Sequence, residues 1–324
     1  MSLSRAQYDE IMRGYEERRL ANAELQRQRR REIEEKLPEY FSYDKKISAA
    51  SMAYFKARMS NDTSISKDDL HKTIASFEEK KKEILKNAGY PLDYLDFIYD
   101  CKDCKDTGYI DNKPCHCFKQ ASIDLLYPQT RLALDFQTAT FDNFSFEYYD
   151  PNLIDEASHM SSLDYAKNAF EYCRDFVKNF SASGGNILLY GETGLGKTFL
   201  SNCIGNEILK QGFSVLYVTA PQFIDIFETK MKARSEDYRK DFDMLHEVDL
   251  LIIDDLGTEF QNAFTIPNVL ECVNNRILYK KSTVISSNLN LKRLQEVYTE
   301  RFSSRLVEHF KILRLTGKDI RAQK

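Results

Sequence analysis

Three groups of residues in this 324-residue chain have types and spacings suited to chemistry. The first is Gly191–Glu192–Thr193–Gly194–Leu195–Gly196–Lys197–Thr198, with the apolar Leu188–Leu189–Tyr190 before it and a helix-forming stretch to Gln211 after it. Glycines at this spacing let backbone N–H groups turn inward around phosphate oxygens. The lysine then reaches the β- and γ-phosphates of a nucleotide, and the threonine hydroxyl ligates Mg²⁺. The N-terminus of the following helix adds the positive end of its dipole. The second group closes the apolar run Leu250–Leu251–Ile252–Ile253 with Asp254 and Asp255. Asp254 is expected to hold Mg²⁺ through water, and Asp255 to orient and deprotonate an attacking water. Aspartate at the second place is one methylene shorter than glutamate, which predicts slower hydrolysis or a differently placed water. The third group is Cys101-x-x-Cys104 and, ten residues on, Cys115-x-Cys117. Four thiolates at such spacing suit one tetrahedral Zn²⁺ in a closed structural site. His116 stands between two of them, so three cysteines with His116 is the alternative ligand set.

Further residues have two readings each. Asn288 ends the run Thr283–Ser287. The carboxyl end of a parallel strand there opens onto the phosphate crevice, so Asn288 either touches the γ-phosphate or the lytic water, or only forms a turn. Arg301 and Arg305 share a helix face: either they meet a neighbouring subunit's nucleotide, or they pair with Glu300 or Glu308. Lys230, Lys232, Arg234, Arg239 and Lys240 form a local basic patch able to follow a phosphate backbone, and Phe264 is placed to stack on a base. A solvated surface and ordinary core packing explain these as well.

The elements that must position these groups follow from the pattern. Strands are predicted at Asn186–Tyr190, Ser214–Thr219, Leu250–Asp254, Thr283–Ser287 and Lys311–Leu315. Helices fall between them at Lys197–Gln211, Pro221–Lys232, Ile266–Tyr279 and Leu291–Phe310, with Ser162–Phe180 ahead. Short apolar strands alternating with helices imply a parallel sheet covered on both faces. Residues 1–95 read as a small helical region, with a long charged helix ended by Pro38 and helices at Ile47–Met59 and Lys67–Ala88, the last capped by Ser64 or Ser66. This region serves either as a partner-binding surface or as a solvated bundle. The domain reading is therefore a helical region at 1–95, a zinc-binding module at 96–125, an aromatic-rich linker at 126–160 and an ATPase domain at 161–324. Hydrophobic content of 42% and charged content of 30% fit a soluble protein, and a net charge of −4 argues against a general polyanion binder. There is no apolar run of 18 residues and no apolar signal core near Met1, so a cytoplasmic protein without a membrane span is expected. Cys173, Cys203 and Cys272 sit at apolar helical positions and read as small core residues.

The ordered set resembles the DnaC/DnaI-type helicase loaders of bacterial replication, an AAA+ group. The resemblance is carried by residues 191–198, Val248–Glu259, Ser286–Ser287–Asn288, Glu300–Leu306 and Gly317–Arg321. The cysteine segment is similar to the zinc module of the DnaI-like branch. The likeness covers about residues 95–324, and the N-terminus matches only in character. It implies an α/β fold: an AAA+ P-loop ATPase core, a parallel sheet flanked by helices with no C-terminal lid, preceded by a helical and zinc-binding N-terminal domain. It implies ATP, Mg²⁺ and Zn²⁺ as cofactors. It also implies Asn288 as sensor I, Arg305 as an arginine finger with Arg301 beside it, and Arg321 as a sensor II-like arginine. The implied partners are a DnaB-type replicative helicase, single-stranded DNA and further copies of the chain assembled on the helicase. The alternatives are an AAA+ helper of a transposase or phage replication system, and a small-molecule P-loop kinase, for which no arginine-rich closing segment is found.

Overall fold

A computed structural model of the chain describes residues 3, 5–60, 66–127, 138–181, 184–232, 245–260 and 265–323. Ser64, Arg234, Arg239, Lys240, Phe264 and residues 128–137 of the linker lie outside these residues, and the side chains of Lys230 and Lys232 are not described. The chain divides into two compact units, residues 12–107 and residues 1–11 with 108–324.

Three helices build most of the 12–107 unit: α1 (Arg5–Lys36), α2 (Pro38–Met59) and α3 (Lys67–Asn87). α2 begins nine residues before the predicted start because Pro38 occupies its first turn, where a missing N–H costs nothing. Ser66 caps α3 through a reciprocal pair with Asp69. Ile33, Tyr40 and Leu85 form the core of this bundle. Glu32 ties the 90–95 segment to α1 by accepting from Tyr90 at 2.9 Å and Tyr94 at 2.7 Å.

In the larger unit a short hairpin, β1 (Tyr109–Ile110) and β2 (Lys113–Pro114), leads into α4 (His116–Leu126). Asp111 and Asn112 turn the hairpin with positive φ at both positions. After α5 (Ser162–Lys178) the α/β alternation runs β3 (Asn186–Tyr190), α6 (Lys197–Lys210), β4 (Val215–Thr219), α7 (Ala220–Lys232), β5 (Leu250–Leu256), α8 (Thr265–Leu278), β6 (Ser282–Ser287), α9 (Leu291–Tyr298), α10 (Glu300–His309) and β7 (Lys311–Arg314). The five long strands are parallel in the order β4-β5-β6-β3-β7. Their side chains alternate between two cores. Leu188, Val218, Ile253 and Ile285 face one side, and Leu189, Tyr217, Ile252 and Val284 face the other. Burial on both faces is why these strands read as unbroken apolar runs. Arg276, wholly buried on α8, donates to the carbonyls of Leu245, Val248 and Ser282 and so clips the approach to β5 against β6.

At the β4 edge two glutamine side chains take the place of a further strand. Gln120 of α4 accepts from the Val215 N–H at 2.9 Å and donates to the Val215 carbonyl at 3.2 Å. Gln222 accepts from the Thr219 N–H at 3.0 Å.

The predicted helix Leu291–Phe310 is two helices. Thr299 breaks it with φ +101°, a conformation that costs a β-branched residue about 1–3 kcal/mol. Burial of Leu294, Tyr298, Phe302 and Leu306 on both sides of the break holds the chain there. The stretch 138–160, read from sequence as linker, also packs on the sheet unit: Phe144 lies against Phe146, Tyr149, Phe170 and Phe199.

Candidate nucleotide site

The turn between β3 and α6 forms the floor of a cavity of about 400 Å³. Thr193 to Phe199 line it together with Phe144, Tyr148, Tyr149, Asp255 and Arg321. Two of the turn's glycines are required by close approach. A Cβ on Gly191 would come within 2.1 Å of the Leu315 carbonyl oxygen, and one on Gly194 within 1.9 Å of Asp319 Oδ1. Gly194 also has φ +79°, which suits glycine. The tail after β7 thus lies directly on the turn, where the Ile320 N–H donates to the Gly194 carbonyl at 2.9 Å. From the opposite side the buried Tyr149 hydroxyl donates to the Leu195 carbonyl at 2.9 Å.

Lys197 opens α6 and is almost fully buried. Its Nζ donates to the carbonyls of Gly191 at 2.8 Å and Glu192 at 2.6 Å. Burial pushes its pKa below the ordinary lysine value, opposed by the carboxylates of Asp255 and Asp254. The Thr198 hydroxyl donates to Asp254 Oδ2 at 3.0 Å. Asp254 also accepts from the Tyr217 hydroxyl at 2.6 Å and the Ser286 hydroxyl at 2.5 Å, so three elements fix its orientation. Burial raises the Tyr217 pKa, and the Asp254 charge adds to the rise, which keeps the phenol a donor. Two oxygen ligands from α6 and β5, with room beside them, are the donor set that a Mg²⁺ ion keeping several waters accepts.

Consecutive strand residues normally face opposite sides, yet both carboxylates serve one end of the sheet. A register shift between Ile253 and Leu256 against β6, with Asp255 at φ +55°, produces this. The Asp255 N–H donates to Ser286 Oγ at 2.8 Å, and its carboxyl lines the cavity. Burial raises the Asp255 pKa and the adjacent Asp254 raises it further, while Lys197 and Arg321 oppose.

Of the residues singled out from sequence, Thr193 to Thr198, Asp255 and Arg321 line one cavity, and Asp254 bonds to Thr198 without lining it. Gly191 and Glu192 supply the carbonyls that hold Lys197. Asn288 is exposed one residue beyond β6 and is not part of the cavity lining. Arg305 is exposed on α10 and pairs with Glu308 at 3.4 Å. Tyr149, Tyr217, Ser286 and Asp319 escaped sequence reasoning. Ser286 and Asp319 carried a local signal, as parts of Ser286–Ser287–Asn288 and Gly317–Arg321.

The Sγ atoms of Cys101, Cys104, Cys115 and Cys117 lie within 4.8 Å of one another, and none is in a disulfide. A Zn–S distance of about 2.3 Å gives tetrahedral edges of roughly 3.8 Å, so the four thiols fit one zinc ion with small adjustment. The Asp106 carboxylate accepts from the N–H groups of Asp100 at 3.0 Å and Cys101 at 2.8 Å, which fixes the turn after Cys104. The His116 ring faces Gly212, where a Cβ would come within 3.2 Å of it.

A phosphate turn on the first long strand, a carboxylate pair two strands away and a parallel β4-β5-β6-β3-β7 order define an AAA+ P-loop core. The chain belongs to the family of IstB-like ATP binding proteins, whose profile matches residues 138–324. It is 24% identical over 231 residues to the replicative helicase loader DnaI of Bacillus subtilis (strain 168), covering 68% of this chain and 74% of DnaI. It is 26% identical over 139 residues to the replicative helicase loader DnaC of Escherichia coli (strain K12), covering 43% of this chain and only 57% of DnaC. Among solved structures, a DnaC helicase loader superposes with a TM-score of 0.46 at 21% identity, covering 56% of this chain and 98% of that one. No helix among the described residues is long and apolar enough to cross a membrane.

Proposed function

We propose that the chain is an ATP-hydrolysing loader that binds a DnaB-type hexameric helicase and delivers it to single-stranded DNA. The observation that carries the reading is the convergence of Lys197, Thr198, Asp254, Asp255 and Arg321 at one end of the sheet, in a chain similar to DnaI over two thirds of its length.

In this reading the turn 191–196 and Lys197 bind the β- and γ-phosphates. Thr198 and Asp254 would hold Mg²⁺, which when bound neutralises charge on the phosphoryl group being transferred. Asp255 orients the attacking water and takes its proton. The rise in its pKa moves it toward the range in which a carboxylate works as a base. Asn288 at the adjacent strand end acts as sensor I, and Arg321 senses nucleotide from the tail. Arg305, with Arg301 beside it, serves a neighbouring copy's nucleotide, which makes turnover depend on assembly. Cys101, Cys104, Cys115 and Cys117 would hold a structural Zn²⁺ that fixes the 101–117 loop. Residues 1–95 form the partner-binding region, 96–125 the zinc module, 126–160 the linker and 161–324 the ATPase domain; the family match from residue 138 and the packing of Phe144 on Phe170 and Phe199 support counting the later part of the linker with the ATPase domain.

Co-purification of the full chain with a hexameric replicative helicase, with and without ATP, tests this. Stoichiometric capture that changes with nucleotide and is lost or locked in Lys197→Ala supports it. Absence of capture under both conditions overturns the choice of partner and favours the alternative client, a transposase or phage replication system.

A further inference from the structure

We propose that Glu259 is a positioning residue linking the Asp255 end of β5 to the helix that carries Arg301 and Arg305; the proposal rests on the ATP-site reading above. Glu259 is buried, 6% exposed, on the loop that leaves Asp255. One carboxylate oxygen accepts from the Gly257 N–H at 2.9 Å, and the other accepts from the Tyr298 hydroxyl. Tyr298 is wholly buried, ends α9 and packs against Phe302 of α10 with ring centroids 5.0 Å apart.

The turn from Asp255 to Glu259 is closed on itself. The Thr258 N–H and hydroxyl both donate to the Asp255 carbonyl, at 3.2 and 2.8 Å. Gly257 has φ +108°, and a Cβ there would come within 2.6 Å of the Leu289 side chain, next to Asn288. The Ser287 hydroxyl donates to the Leu256 carbonyl at 2.5 Å and accepts from the Leu289 N–H at 3.1 Å. The turn after β5 and the α9–α10 corner therefore meet at one carboxylate, and the end of β6 is bonded to the last residue of β5 beside it.

Core packing alone gives no reason for a carboxylate here, because a buried charge is costly unless directed hydrogen bonds compensate it. With both oxygens engaged, movement of the Asp255 turn pulls on Tyr298. Tyr298 adjoins the Thr299 break from which Arg301 and Arg305 project. The chain thereby couples the state of its own nucleotide to the arginines it offers a neighbour. A fully satisfied buried network is rigid enough to carry such a displacement.

Hydrogen–deuterium exchange on the full chain, with Mg²⁺ and a non-hydrolysable ATP analogue, separates this coupling from simple structural support. In wild type, the nucleotide should slow exchange in both 191–200 and 299–309. In Tyr298→Phe and Glu259→Gln, both near-isosteric, slowing at 191–200 should persist while the response at 299–309 is lost. Turnover should fall about tenfold with KM for ATP within about twofold. An equal response at 299–309 in wild type and both variants, or unchanged turnover in both, overturns the proposal. Absence of slowing at 191–200 in wild type strikes instead at nucleotide binding itself and removes the basis for the proposal.

Discussion

Gly194→Ala isolates the fit between the phosphate turn and the C-terminal tail. The substitution meets two obstacles. At φ +79° an L-residue is strained by about 1 kcal/mol. The added Cβ would also lie 1.9 Å from Asp319 Oδ1 and 2.2 Å from its Cγ, so the tail must withdraw. Withdrawal breaks the Ile320 N–H to Gly194 carbonyl bond and disturbs the Asp319 cap on the Arg321 N–H. Each such bond is worth about 0.5–1.5 kcal/mol, so the total loss should be about 2–4 kcal/mol. In an Asp319→Ala background the collision disappears, and Gly194→Ala should cost only its backbone strain, about 1 kcal/mol. A double-mutant cycle by urea unfolding, followed by circular dichroism because the chain has no tryptophan, should thus give a coupling of about 1–3 kcal/mol. Nucleotide affinity should follow the same cycle, since a withdrawn tail takes Arg321 out of the cavity. Equal costs of Gly194→Ala in both backgrounds would falsify the docking argument and leave backbone strain as the whole effect.

Lys197→Ala should abolish ATP binding, whereas Asp255→Asn should bind ATP normally and release no phosphate; fluorescent-nucleotide titration and a phosphate-release assay read the two, and normal turnover by Asp255→Asn would clear that residue of its role. The acid limb of kcat/KM should lie above the ordinary aspartate value of 3.8, because burial and Asp254 raise the Asp255 pKa and the base acts only when ionised; a limb at or below 3.8 contradicts this. Arg305→Ala should keep nucleotide affinity and lose helicase-stimulated hydrolysis, and stimulation that survives would move the role to Arg301. Cys101→Ser should lower zinc content by elemental analysis and loosen the 101–117 loop, so unaltered zinc would argue against the four-thiol set.

The parts of the site made by neighbours in sequence were legible. The turn 191–198 declares itself by glycine and lysine spacing, β5 by an apolar run ending in two carboxylates, and the cysteine cluster by its intervals. Contacts made at a distance were not. Nothing around Asp319 signals that it will rest on Gly194, more than a hundred positions earlier, and Tyr149 and Tyr217 look like any other buried aromatic until the sheet brings them to Leu195 and Asp254. The bulge at Asp255 was hidden for another reason: a register shift depends on the partner strand and leaves no mark in its own residues. The break at Thr299 was missed because no proline or glycine announces it, and Leu294, Tyr298, Phe302 and Leu306 keep helical spacing across it. Strand positions, in contrast, were read to within a residue or two at each end, since burial on both faces leaves a continuous apolar signature.

The glutamine amides along β4 have a consequence for how copies of this protein can meet. An open strand edge invites another sheet to add itself, and that is a common start to aggregation. Here Val215 is engaged through both its backbone groups and Thr219 through its N–H, so a visiting strand would first have to dislodge Gln120 and Gln222. Growth by edge-to-edge addition is discouraged on that flank. Copies gathered at high local concentration are steered toward contacts through helices and loops, which separate again far more readily than fused sheets do.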